Sequence, residues 1–266
     1  MILDKKDVIV GFCNDGYYDF CKNWLLSLQN LNLNDRVIVY ALDETVFERL
    51  NEEFPLVKSI LWKDQSNFQE TSELRSEFLG NEWDVIMFKK LECVHYTLTQ
   101  NHNVLYTDTD VVFQKNPMEF LINETEQDDF VIQREGRKDN MWCAGFFYAK
   151  SCVETINLTK LSPILCKDFK CDQSLLNARL SVESGLPLAR VYSRNNVQEK
   201  VLKNGWNPSN NLKWHRLCEE LFPNGNRWMG MSSKSRKHSY AVHYNCLTGY
   251  QDKVDTMKQY NHWFLK

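Results

Sequence analysis

No run of apolar residues in this 266-residue chain comes near the roughly 18 that a membrane-spanning helix needs. The first residues, MILDKKDVIVGFC, hold no apolar signal-peptide core, because Asp4, Lys5, Lys6 and Asp7 interrupt it. Charge of one sign is also scarce. A net charge of -3 leaves no electrostatic footprint for nucleic acid, so no nucleic-acid partner is expected. The nine cysteines are an odd number, and no two are spaced as CxxC. That pattern argues against a disulfide framework or a structural zinc site and for a reducing compartment. A cytoplasmic protein without a membrane span is the expectation. Repeats, low-complexity tracts and linkers are missing too, so residues 1–266 are expected to form a single domain.

What is present is ordinary for a globular protein: 43% hydrophobic and 25% charged residues. Aromatics are rich at 13%, with eight tryptophans. DVIVGFC (7–13), RVIVYAL (36–42) and VKSILW (57–62) read as buried strands, and NVLYT (103–107) as a fourth. Helical spacing of Phe20, Trp24, Leu28 and Leu31 predicts a helix over 17–31. Further helices are expected over 45–51, 83–100 and 171–180, and a polar loop over 63–80. Strands alternating with helices imply an α/β fold with a mainly parallel sheet. Beyond Pro117 the pattern loosens, with short strands expected at 129–134, 142–150, 188–193 and 239–245 and a loop-rich stretch over 204–235.

The stretch NVLYTDTDVVFQKNP ends an apolar strand on two aspartates, Asp108 and Asp110. In a strand, residues two apart share a face, so the pair would project together unless the chain turns between them. Two close carboxylates repel and desolvate poorly. A hard divalent cation, Mn²⁺ or Mg²⁺, removes both problems and takes substrate phosphates as further ligands. Ligands of open α/β sheets bind outside the carboxyl ends of the strands, which is where this pair falls. The alternative is a solvated turn capping the strand.

VLYTDTDVVFQKNP is similar to the hallmark of the DxD nucleotide-diphospho-sugar transferases of glycosyltransferase family 77, and it also resembles the glycogenin-like family 8. GFCNDGYYDFCKNWLLSLQNL, YALDE, KKLECVHYTLTQ, AGFFYAK and CDQSLLN resemble, in order, further segments of such chains. VHYNCLTGYQDK resembles the closing His-x-x-Gly-x-x-Lys block, with longer spacing. The resemblance implies a GT-A fold, a Rossmann-like mixed sheet, with a nucleotide-binding half at 1–117 and an acceptor and sugar half at 118–266. It implies transfer, with retention, from a UDP-sugar donor to a hydroxyl of a glycan or glycoprotein acceptor. Galactose, xylose, arabinose and glucose are the sugars it suggests.

The resemblance also assigns residues. Asp108, Asp110 and His243 become metal ligands, although a lone histidine is equally a hydrogen-bonded core residue. Lys253 meets the diphosphate or lies on a solvated helix face. Asp172 and Gln173 fall near the anomeric carbon, while Asp172 in isolation is a good helix N-cap. Phe12, Cys13, Asn14 and Asp43 line the uridine pocket, or are core and turn residues. Thr109 and Gly249 fall on the donor side, with Asn177 and Gly145 as weaker candidates. Lys90 follows from geometry. At about 100° per residue it lies beside the apolar stripe of Met87, Leu91, Val94 and Leu98, with Lys89 nearly opposite. A lysine on an inward edge needs an anionic partner, here donor or Asp172, unless it snorkels to water. Trp206, Trp214, Trp228 and Trp263 are either an acceptor platform or core.

Two other classes compete. A nucleotidyltransferase would want a glycine-rich phosphate loop after the first strand, and FCNDGYYD supplies only Gly16. A non-catalytic sugar-nucleotide-binding protein would carry an intact DxD as a liability.

Overall fold

Alternate residues of the central strands face opposite layers, and both layers are apolar. Val8 and Val10 of strand β1 (Asp7–Cys13) join one buried cluster, with Ile38 and Tyr40 of β2 (Val37–Ala41) and Val104 and Tyr106 of β4 (Asn103–Thr107). Ile9, Val37, Val39 and Leu105 join the other. This period-two pattern, apolar on both faces, is that of a strand buried between helices. In this computed structural model the described residues are 6–62, 82–136, 141–162, 169, 171–185, 201–202, 206–247 and 249–266, with the backbone alone for 82–86. The expected loop at 63–80 and strand at 188–193 lie outside them.

On one face, α1 (Tyr18–Gln29) packs Trp24, Leu25 and Leu28, and α2 (Glu44–Glu53) packs Val46 and Leu50. On the other, α3 (Glu82–Thr99) packs Phe88, Leu91, Val94 and Leu98, beside Leu175, Leu176 and Leu180 of α6 (Asp172–Ser184). Between them lies a seven-stranded sheet ordered β3-β2-β1-β4-β7-β6-β8, where β3 is Lys58–Leu61, β6 Phe130–Arg134, β7 Trp142–Ala149 and β8 Trp214–Arg216. β7 runs antiparallel to both neighbours, and the other pairs are parallel. The sheet is therefore mixed and mainly parallel. Segments from both halves of the chain share it, joined where Thr107 of β4 pairs Phe146 of β7.

Two irregularities make room for a site. Along β6 and β7 the register jumps between Ile132, opposite Phe147, and Gln133, opposite Cys143. The bulge frees the backbone of Ala144 and Gly145 from that ladder. The chain also leaves the main sheet after Thr107, and β5 (Val111–Phe113) pairs instead with β9 (Ala241–His243) in a two-stranded ribbon. Between β5 and β9 come α4 (Met118–Glu124), α5 (Val153–Thr159), α7 (Gly225–Gly230) and α8 (Ser233–Arg236), and α9 (Tyr250–Gln259) follows β9. Among the described residues no helix is long and apolar enough to cross a membrane.

Candidate active site

Asp108 and Asp110 sit on the turn between β4 and β5 rather than on one strand face, because the backbone folds back, with Val111 N–H donating to the Asp108 carbonyl at 3.3 Å. The antiparallel ribbon pairs Val111 with His243, and Tyr244 N–H donates to the Asp110 carbonyl at 3.0 Å. His243 Nε2 thereby comes 3.1 Å from Asp110 Oδ1 and 3.7 Å from Asp108 Oδ2. One ligand atom from each of the three lies within 4.8 Å of the others.

The donor set fits a hard divalent cation. Asp110 Oδ1 and His243 Nε2 are buried and face each other at 3.1 Å, paired when the imidazole is protonated and left without a hydrogen bond when it is neutral. Such orphaned polar atoms are costly unless a cation satisfies them. Burial alone would raise the Asp110 carboxyl, but the charges of His243 and Lys253 hold it well below the usual carboxylate range. Burial would lower the His243 imidazole, yet Asp110 and Asp108 push it up. Both shifts report a pocket that attracts positive charge.

Two lysines complete the cluster. Lys253, on α9, places Nζ 2.7 Å from Asp110 Oδ2. The turn into α9 is made by Gly249 at φ +95°, a conformation that favours glycine. Lys90, 4% exposed on α3, reaches Asp108 Oδ1 at 3.0 Å and Asp172 Oδ2 at 3.1 Å. Burial opposes its charge, but the two carboxylates raise its pKa above the ordinary lysine value. Burial in turn raises Asp172, against the pull of Lys90. Three carboxylates and two lysines leave one net negative charge when His243 is neutral.

Several expectations are altered by these placements. Asp172 opens α6, but its N-cap is Cys171, so the Asp172 side chain is spent on Lys90 instead of capping. Gln173 Oε1 accepts from Ala144 N–H at 3.1 Å, using a backbone donor that the bulge exposes. Asn177 brackets Trp142, accepting from its N–H at 2.9 Å and donating to its carbonyl at 2.8 Å. Lys89, read as opposite the apolar stripe, is instead largely shielded, its side chain 13% exposed and paired with Glu92 at 3.4 Å. Trp206 and Trp228 are buried, Trp214 packs edge-on against Trp142, and Trp263 packs against Phe20; an exposed tryptophan platform is not formed by these four.

A cleft of about 250 Å³ opens beside the carboxylates. Of the residues expected on the donor side, Phe12, Cys13, Asn14, Asp108, Thr109 and Lys253 line it, together with Asp110 and His243, while Lys90, Gly249 and Asp43 do not. Asp43 is occupied elsewhere. Its carboxylate caps α2 by accepting from Val46 N–H at 2.9 Å, and it accepts from Asp15 N–H at 2.9 Å. Sequence reasoning missed Tyr17, Met87, Asn245 and Cys246 on the cleft wall, and Tyr106, whose hydroxyl donates to Asp108 Oδ1 at 2.8 Å. Tyr106 lies two residues before Asp108, the same spacing that singled out the aspartate pair. At Gly145 there is no room for a side chain: a Cβ would collide with Asp108 Oδ2 and His243 Cε1, and the Gly145 carbonyl accepts from Asp108 N–H at 2.8 Å.

The sequence pattern of the nucleotide-diphospho-sugar transferases matches residues 32–257. The chain belongs to that family. Among curated relatives it is 23% identical to a UDP-galactose:fucoside alpha-3-galactosyltransferase of Dictyostelium discoideum, over 99% of this chain and 44% of that protein. It is 22% identical to a UDP-D-xylose:L-fucose alpha-1,3-D-xylosyltransferase of Arabidopsis thaliana, over 97% of this chain and 70% of that protein. The chain thus spans less than half the length of the first of these. Its fold is that of solved glycosyltransferases. The structure of GlyE from Streptococcus pneumoniae matches with a TM-score of 0.51 at 10% identity, covering 99% of this chain and 61% of that one. That of the bifunctional WbbM matches with a TM-score of 0.52 at 12% identity, covering 98% and 52%. The GT-A fold read from the sequence is the fold observed.

Proposed function

We propose that this nucleotide-diphospho-sugar transferase is a metal-dependent, retaining glycosyltransferase that moves a sugar from a UDP-sugar to a hydroxyl of a glycan or glycoprotein. The observation that carries it is the convergence of Asp108, Asp110 and His243 on one point at the mouth of a cleft. Bound there, Mn²⁺ or Mg²⁺ supplies positive charge against the diphosphate that leaves. It would turn the net charge of the cluster from negative to positive, which suits a diphosphate.

The chain's own groups do the rest. Lys253, on the cleft wall beside Asp110, adds a second positive charge for the phosphates. Phe12, Cys13 and Asn14, at the carboxyl end of β1, form the wall for the uridine. Lys90 holds Asp108 and Asp172 side by side. Asp172 supplies negative charge towards the oxocarbenium-like sugar, and Gln173, tied to the bulge, orients the reacting face. Thr109 and the turn at Gly249 complete the donor side.

Both relatives named above carry fucose in the acceptor part of their names. The first assay therefore pairs UDP-galactose, UDP-xylose, UDP-glucose and UDP-arabinose with a methyl fucoside in Mn²⁺. Transfer, or slow donor hydrolysis without acceptor, is expected for one donor, and NMR of the product should show the anomeric configuration retained. Asp110→Asn should remove metal-dependent UDP binding from a folded protein. A failure of every donor to turn over or to shift the melting temperature would sink the enzymatic reading. An inverted product would sink retention alone.

A further inference from the structure

Gln133 is 1% exposed and sits at the bulge of β6, where no other buried polar side chain of that strand is found. Its amide cannot be turned over. Nε2 donates to the Phe222 carbonyl at 3.1 Å, and a carbonyl only accepts. Flipping the amide would set oxygen against oxygen. Oε1 must therefore face His243 Nδ1, 2.9 Å away, and that nitrogen must carry the hydrogen. Cys143 Sγ stands 3.5 Å from the same Nδ1 and already receives Gly145 N–H at 3.4 Å, so it too is placed to accept. Nε2 is left to face the two carboxylates. A neutral ring with its lone pair aimed at two carboxylates is repulsive, and either a proton on Nε2 or a metal cation between the three groups relieves it.

We propose that Gln133 is a positioning residue that locks His243 in the Nδ1–H tautomer, so that Nε2 is presented with Asp108 and Asp110 as a ready-made cation ligand. A partner on the far ring nitrogen fixes which nitrogen binds and the plane of the ring. Gln133 is a neutral acceptor. It selects the tautomer without adding a fourth carboxylate to the cluster. The bulge is what allows this, because it brings a β6 side chain under a histidine that belongs to the β5–β9 ribbon.

The inference rests on the metal-site reading, and two measurements keep the failures of the two apart. Long-range ¹H–¹⁵N spectra of the wild-type protein, labelled in its six histidines, are recorded without metal at a pH where the His243 ring is neutral. They should show the hydrogen on Nδ1; a hydrogen on Nε2 overturns the proposal whether or not metal binds. Mn²⁺ titration followed by electron paramagnetic resonance then compares wild type with Gln133→Met, which keeps the volume and loses the acceptor. Affinity should fall about 10- to 100-fold, and Gln133→Glu, which restores an acceptor, should recover part of it. Equal affinity in wild type and Gln133→Met overturns the positioning role. If the wild type itself binds no Mn²⁺, the metal site fails, and the tautomer is still read by the spectra.

Discussion

Replacing Lys90 with methionine keeps most of the side-chain volume and removes a cation that Asp108 and Asp172 share. Nζ lies 3.0 Å from Asp108 Oδ1 and 3.1 Å from Asp172 Oδ2. With an effective dielectric of about 20, each contact is about 5 kcal/mol of gross attraction. Desolvation of the charges offsets most of that. What remains on truncation is the penalty of stranding a buried charge, about 3–5 kcal/mol. The stranded group is Asp172, whose side chain is 3% exposed, because Asp108 at 30% can turn to water. The pH dependence has a definite sign. Burial already raises Asp172 in the native protein, and without Lys90 nothing in that pair opposes it. The unfolded carboxyl ionises near pH ~4, while the folded one keeps its proton to higher pH. The folded state then binds more protons, so stability falls as pH rises through the window above about 4. Urea denaturation in chelator should therefore give a deficit of about 3–5 kcal/mol at pH 8 and a smaller one at pH 5. Adding Asp172→Asn to Lys90→Met should recover at least about 1 kcal/mol. A deficit below about 1 kcal/mol, or one that is the same at both pH values, would refute the buried-triad argument.

Three further perturbations separate the parts of the molecule. Gly145→Ala should leave the fold measurable by circular dichroism but weaken Mn²⁺-dependent UDP binding at least about tenfold, since the added methyl must displace Asp108 or His243; unchanged binding would show that the two side chains do not need that space. Asp43→Ala should cost about 1 kcal/mol in denaturant from the lost cap of α2, with UDP affinity unchanged; a large affinity loss would return Asp43 to the uridine pocket. His262 is 8% exposed and shares a 2.7 Å hydrogen bond with the Tyr244 hydroxyl, and burial, aided by Arg236, lowers its pKa from 6.5 to about 4. The unfolded state takes up that proton first, so up to about 3 kcal/mol of stability, present above pH 6.5, is lost as pH falls towards 4; His262→Gln should flatten that part of the profile, and an unchanged slope would assign the acid sensitivity elsewhere.

How far the site could be read in the sequence depended on whether one segment held the relevant contacts. The first four strands and their helices carry their own periodicity, and residues 103–107 form the strand that NVLYT predicts. Lys90 was legible because a helix converts sequence spacing into facing; of the partners expected, Asp172 is the one observed, and Asp108 is added to it. Lys89 shows where that stops. The wheel places it away from the core and shows Glu92 within reach at i+3, but it cannot show that the Lys89 side chain will be only 13% exposed. The sequence leaves the tryptophans open between acceptor platform and core for a related reason. An indole over a sugar and an indole in a core have the same local pattern, and only tertiary packing puts Arg179 against Trp206 and Arg236 against Trp228.

Gln133 was invisible for the strongest reason. Within DFVIQR it is a polar residue ending a strand, which signals nothing. Its role is created by a register jump against β7, by the Phe222 carbonyl and by a histidine 110 residues further along the chain. The same holds for Gly145, whose lack of a side chain matters only because the bulge drives its backbone against Asp108 and His243. Metal ligands are residue types that a motif can name. What aims them is a backbone irregularity, and no local pattern announces it. Changes at the bulge should therefore damage the site while leaving Asp108, Asp110 and His243 in place as residues. Gly145→Ala and Gln133→Met act on neighbouring atoms of the His243 ring, one by crowding Cε1 and one by releasing Nδ1. Because they act on the same ring, their effects on Mn²⁺ affinity should be less than additive. Full additivity would mean that the cation site is aimed by two independent supports rather than by one bulge.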